Sequence, residues 1–88
     1  MSITTGQTTV TSTATYITTG KTGASWVQLH APQNGNTMYI GGADVTTSTG
    51  MELTKGVVVQ TWLAETDKLY AIVASGTETL KWMHTGGR

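Results

Sequence analysis

Apolar and polar residues alternate with period two along most of this chain, the pattern of strands that bury one face. From Thr9 to Thr15 every odd position is Thr, while the even positions are Val10, Ser12 and Ala14, followed by Tyr16. Thr is β-branched and favours extended backbone, so the pattern predicts a strand over residues 8–17. Residues 25–31 alternate again: Val27, Leu29 and Ala31 form a core face, and Trp26, Gln28 and His30 the other. Residues 37–40 are expected to return antiparallel, with Met38 and Ile40 inward and Tyr39 outward. Residues 56–63 are the most hydrophobic strand; Val57, Val59 and Thr61 make one face, and Val58, Gln60 and Trp62 the other. Apolar residues on both faces imply that both are covered or that one meets a partner. Residues 69–74, Leu-Tyr-Ala-Ile-Val-Ala, form a near-continuous apolar run, as in a central strand buried on both sides. Residues 78–85 close the chain, with Leu80 and Trp82 inward and Lys81 outward.

Glycines punctuate the middle of the chain at Gly35, Gly41, Gly42, Gly50 and Gly56. The fragments between them, Met38-Tyr39-Ile40 and Met51-Glu52-Leu53, are too short for helices and suit strands. Pro32 ends one strand, and Gln33-Asn34-Gly35-Asn36 supplies a turn. Residues 41–50 form a long polar connection. Ala64-Glu65-Thr66-Asp67-Lys68 and Ser75-Gly76-Thr77 mark two further turns, and Gly86-Gly87-Arg88 a loose tail. No window sustains a 3.6-residue period. The fold expected is all-β: a small antiparallel β-sandwich, jelly-roll-like, with an extended N-terminal arm. The arm is placed at residues 1–7 and the single sandwich domain at residues 8–88. Residues 2–20 carry no charge, and Ile3 is the one large apolar side chain between Met1 and Val10. So little burial does not offset the ordering entropy of the arm, roughly 1–2 kcal/mol per residue, so it is expected to order against a partner.

Composition narrows the possibilities. A chain of 88 residues closes one small core with little surplus. It has no cysteine, so disulfides and thiolate metal sites are excluded and oligomerisation is the stabilising device left open. Net charge is zero and 11% of residues are charged, against about a quarter in ordinary domains. Such a surface is weakly defended against association and lacks the basic patch that nucleic acid needs. There is no secretory pattern and no apolar run near the ~20 residues of a membrane helix, so synthesis in a cytoplasm is expected.

Candidate chemistry is sparse. Thr19-Gly20-Lys21-Thr22-Gly23 resembles the end of a phosphate-binding loop, but the earlier Gly it needs is Thr15, and the reading is a plain polar turn. Asp44 followed by hydroxyl residues lacks the carboxylates of a calcium loop, so Asp and Thr side chains are expected to bond local backbone there. His30 and His84 are the only imidazoles, with no ligand spacing between them, and no metal or cofactor is expected. Catalysis needs a base or nucleophile with an orienting partner, and no such set is legible, so no enzyme is expected.

Several segments together resemble small virion proteins of tailed bacteriophages. They are Thr8-Thr9-Val10 with Ala14-Thr15, Trp26-Val27-Gln28-Leu29-His30, the block from Tyr39 to Gly50 (YIGGADVTTSTG), Leu53-Thr54-Lys55-Gly56, and Leu69 to Gly76. The YIGGADVTTSTG block is the specific part. The resemblance implies a capsid decoration (cement) protein on the outside of the head, commonly a homotrimer, made in the host cytoplasm and bound to major capsid protein. Val58 and Trp62 depart from that pattern, which has polar residues there. The expected capsid or subunit contacts are therefore Ser2, Ile3, Thr4 and Thr5 in the arm, Val58 and Trp62 on the strand, and Asp44, Thr46 and Thr47 in the long loop. The alternative is an outward-facing head-fibre, spike or tail module that binds a host glycan, with Trp26, Trp62 or Tyr39 stacking on a sugar.

Overall fold

The computed structural model describes residues 2–20, 23, 25–32, 35–53, 56 and 58–86. Among these residues eight strands follow one another: β1 (Ser2–Val10), β2 (Thr15–Thr19), β3 (Ser25–His30), β4 (Met38–Gly41), β5 (Met51–Leu53), β6 (Val58–Leu63), β7 (Lys68–Val73) and β8 (Glu78–Gly86). They form two four-stranded antiparallel sheets, ordered β1-β8-β3-β6 and β2-β7-β4-β5. The first strand pairs with the last, the second with the seventh, the third with the sixth and the fourth with the fifth. That nesting is one long hairpin rolled over itself, which is the topology of an eight-stranded jelly roll.

The alternation read from the sequence places the core. Val27 and Leu29 of β3, Leu80 of β8, and Val10 of β1 face Met38, Ile40, Leu53, Leu69, Ala71 and Val73 of the other sheet, all buried. Ile72 is buried as expected. Trp82, also expected in the core, lies at its margin. It is half-buried and covers Gly6, where an added Cβ would come within 2.5 Å of the indole. Its Nε1–H donates to Thr8 Oγ1 at 3.1 Å.

The N-terminal segment differs most from expectation. It is extended, but residues 2–7 are not set apart from the sandwich. β1 runs unbroken from Ser2 to Val10, each residue in register with β8, so the segment is an edge strand of the first sheet. The strand expected over residues 8–17 is instead the end of β1, a bend, and β2. Threonine side chains make the break by competing for backbone groups. Thr11 N–H donates to Thr15 Oγ1 and Thr13 N–H to Thr11 Oγ1, both at 3.2 Å, while Thr15 Oγ1 donates to Thr13 O at 2.8 Å.

One end of the sandwich gathers the β2–β3, β4–β5 and β6–β7 connections with the start of β1 and the end of β8. There Gly20 N–H donates to Asp67 O at 2.7 Å, tying two connections together. The β6–β7 turn closes through Asp67 N–H to Ala64 O at 3.1 Å and Ala64 N–H to an Asp67 carboxylate oxygen at 3.0 Å. Inside it Thr66 has φ 73°, a left-handed conformation that a β-branched residue adopts only under strain. Asn tolerates that conformation. Thr66→Asn is therefore expected to stabilise the protein by about 1 kcal/mol, raising the melting temperature by roughly 5 °C. An unchanged or lower melting temperature in a thermal scan would refute the strain.

Residues 21 and 22 of the expected polar turn, residues 33 and 34 of the next, residues 54, 55 and 57 before β6, and Gly87 and Arg88 of the tail lie outside the described residues.

Candidate functional site

Strand register builds one continuous surface on the outer face of the first sheet. Because side chains alternate across a strand, residues directly opposite one another share a face. Ile3 of β1 opposes Thr85 of β8, which opposes Trp26 of β3, which opposes Trp62 of β6. The next row is Thr5, Met83, Gln28 and Gln60, and the third is Gln7, Lys81, His30 and Val58. Ile3 is 68% exposed, Trp26 47%, Trp62 52% and Val58 57%. Lys81 carries the one formal charge in these three rows, and no carboxylate lies in them. Exposed apolar side chains gathered on one face are a feature of interaction surfaces, and this face carries four of them.

Of the residues expected to make contacts, register brings Ile3, Thr5, Val58 and Trp62 onto this face. Thr4 lies on the opposite face of β1, across from His84, and is exposed. The Ser2 backbone pairs with Gly86. Asp44, Thr46 and Thr47 are exposed in the loop between β4 and β5, at the same end of the sandwich but hung from the second sheet. Threonine side chains bond the backbone of that loop, which is the threonine part of the expectation. Thr46 Oγ1 accepts from Ser48 N–H at 3.2 Å and Thr49 N–H at 3.1 Å, while Thr49 Oγ1 accepts from Thr46 N–H at 3.1 Å. Val45 is buried beneath the loop, and a Cβ on Gly50 would come within 2.7 Å of Tyr39 and 2.8 Å of Val45. The Thr46 hydroxyl is thus already engaged within the loop.

Sequence reasoning missed a polar bridge inside the sandwich. His84 of β8 and Ser25 of β3 are each 2% exposed, and Thr18 of β2 is buried. Ser25 Oγ bonds His84 Nε2, and His84 Nδ1 bonds Thr18 Oγ1 at 3.0 Å, so the imidazole spans from one sheet to the other. Hydroxyl, imidazole and second polar group stand in the order of a nucleophile, a base and its orienter. Burial closes this set to any acyl group, and its chemistry is that of satisfied core polar groups. The signal was in the sequence: His84 shares its parity with Leu80 and Trp82, both expected to face inward. Among the described residues, no three His, Asp or Glu side chains converge as a metal site requires.

The structure therefore defines an eight-stranded jelly roll with one carboxylate-free, tryptophan-bearing face. Comparison of the chain with protein-family models, with characterised proteins and with solved structures returned no match.

Proposed function

We propose that this protein is a non-catalytic virion component that decorates a bacteriophage head, docking through the outer face of the sheet β1-β8-β3-β6. The supporting observation is that face, with Ile3, Trp26 and Trp62 in one row, Val58 two rows away and no carboxylate between them. Viral capsid domains are among the hosts of the jelly-roll fold, which is support by analogy of fold. Major capsid protein is the proposed target. Repetition of the site over a shell multiplies a modest affinity per copy.

The test is a titration of particles that lack the protein. Buried aromatic anchors at interfaces are worth ~2 kcal/mol or more, so Trp26→Ser with Trp62→Ser should weaken binding on the order of 30-fold or more. Both rings are about half-exposed, so the variant should keep the fold and melt within a few degrees of the parent. Undiminished binding by a folded variant would remove this face from the proposal and turn attention to residues 44–50.

A second reading has its own observation. Trp26 and Trp62 are cross-strand neighbours, with Gln28 and Gln60 in the next row. Paired aromatic faces beside amide donors and acceptors suit a saccharide. In that case the same double variant would lose binding to host surface glycan on an array while still saturating particles.

A further inference from the structure

Four strands end a sheet, and they are unequal. β1 has nine residues, β6 six, β2 five and β5 three. The β2 ladder is broken between Tyr16 and Thr18. The β1 ladder is unbroken, and Ser2–Val10 holds no charge and no proline. Proteins guard sheet edges with charge, proline, bulges or short strands, and β1 has none of these. Among the described residues, no backbone hydrogen bond runs from β1 to any strand but β8. Its other edge therefore offers a row of N–H and C=O groups.

We propose that β1 pairs antiparallel with β1 of a second copy, about a two-fold axis at Gly6, joining two four-stranded sheets into one of eight. In this register Thr5 faces the partner's Gln7, Thr4 faces the partner's Thr8, and Ile3 faces the partner's Thr9. Hydroxyl–hydroxyl and hydroxyl–amide pairs across strands are favourable, and no charge meets a like charge. A second copy supplies a strand of equal length and matching chemistry by construction, and a two-fold axis makes the contact self-complementary. An open cavity of about 520 Å³ lies at this edge, lined by Thr5, Gly6, Gln7, Lys81 and Trp82. All five belong to β1 and β8, and no residue of the second sheet closes it. The pairing brings the partner's Thr4 and Thr8 beside this space and covers what remains exposed of the half-buried indole of Trp82. It also merges the two carboxylate-free outer faces into one. The inference concerns self-association alone and stands or falls separately from the particle-binding reading. It also departs from the trimer that the resemblance implies.

Sedimentation velocity at tens of micromolar should show a dimer. Thr5→Glu with Gln7→Glu sets carboxylate against carboxylate twice across the axis and should raise the dimer dissociation constant at least tenfold. Thr5→Lys with Gln7→Glu sets ammonium against carboxylate twice and should restore the dimer. Circular dichroism verifies that each variant is folded. If the first variant does not fold, single Thr5→Cys and Gln7→Cys proteins replace it, since the chain has no cysteine of its own. Oxidising their mixture should give a disulfide-linked heterodimer, and oxidising either alone should not. A monomeric or trimeric parent, failure of the Lys/Glu variant to restore association, or cross-linking of either single variant with itself as readily as in the mixture would overturn the proposal.

Discussion

His84→Ala is expected to destabilise the protein by about 4 kcal/mol or more. The imidazole is among the largest fully buried side chains and bonds to hydroxyls on strands of both sheets. Truncating a buried side chain of this size to Ala costs about 2–5 kcal/mol through lost contacts and the cavity left behind. The change also takes the imidazole from Ser25 Oγ and Thr18 Oγ1, and loss of a buried hydrogen bond adds to that cost, by about 1–3 kcal/mol where a buried group goes unsatisfied. A domain of this size has roughly 5–15 kcal/mol in total, so the variant should be near or beyond its unfolding midpoint at moderate temperature. Replacing all three together, as His84→Leu with Ser25→Ala and Thr18→Val, should cost less than His84→Ala, because neither bridge hydroxyl is then left facing a lost imidazole. Urea denaturation of the two variants is the measurement. If His84→Ala lies within about 1 kcal/mol of the parent, the bridge does not hold the sheets together.

Gly20→Ala should follow closely, at about 3 kcal/mol. A Cβ at this position would lie 1.9 Å from the Ala64 carbonyl oxygen and 2.9 Å from its carbon. Those atoms are backbone inside a tight turn, so no side chain can swing aside. Relief requires the β2–β3 and β6–β7 connections to separate, which also breaks the Gly20 N–H to Asp67 O bond. Overpacking of this kind typically costs 1–3 kcal/mol, and the rigid target puts this case at the upper end. Thermal unfolding monitored by circular dichroism would test it; a shift of less than about 4 °C would show that the turn gives way easily.

The fold was largely legible where alternation was strong. Val27, Leu29, Met38 and Ile40 marked core faces, and the apolar run of β7 marked a central strand. It was illegible in the threonine-rich start, where every residue is β-prone and composition gives no punctuation. A clue existed even there. Val10 and Ile17 are both buried, yet an odd separation puts two residues on opposite faces of an unbroken strand. A break between them was required, and Tyr16, assigned the parity of Val10, is exposed. The candidate face was half-legible. Val58 and Trp62 stood out as apolar residues on a strand's second face. Joining them to Trp26 and Ile3 required cross-strand register, which pairs residues far apart in the chain. The Thr18–Ser25–His84 bridge escaped for the same reason. His84 and Ser25 approach only because β3 and β8 are neighbours, and nothing local to either residue announces the other.

The rolled hairpin has a consequence during synthesis. β1 leaves the ribosome first, yet its partner β8 emerges last, after every other strand. At ~5–20 residues per second, the nascent strand waits for seconds with nothing to pair with. An apolar strand held open that long would be prone to aggregate. The makeup of Ser2–Val10, four threonines with Ser2 and Gln7 against two aliphatic residues, Ile3 and Val10, keeps it hydrated through that wait. Hydroxyl-rich composition is thus a solution to timing: β-prone enough to join the sheet when β8 arrives, and polar enough not to collapse beforehand.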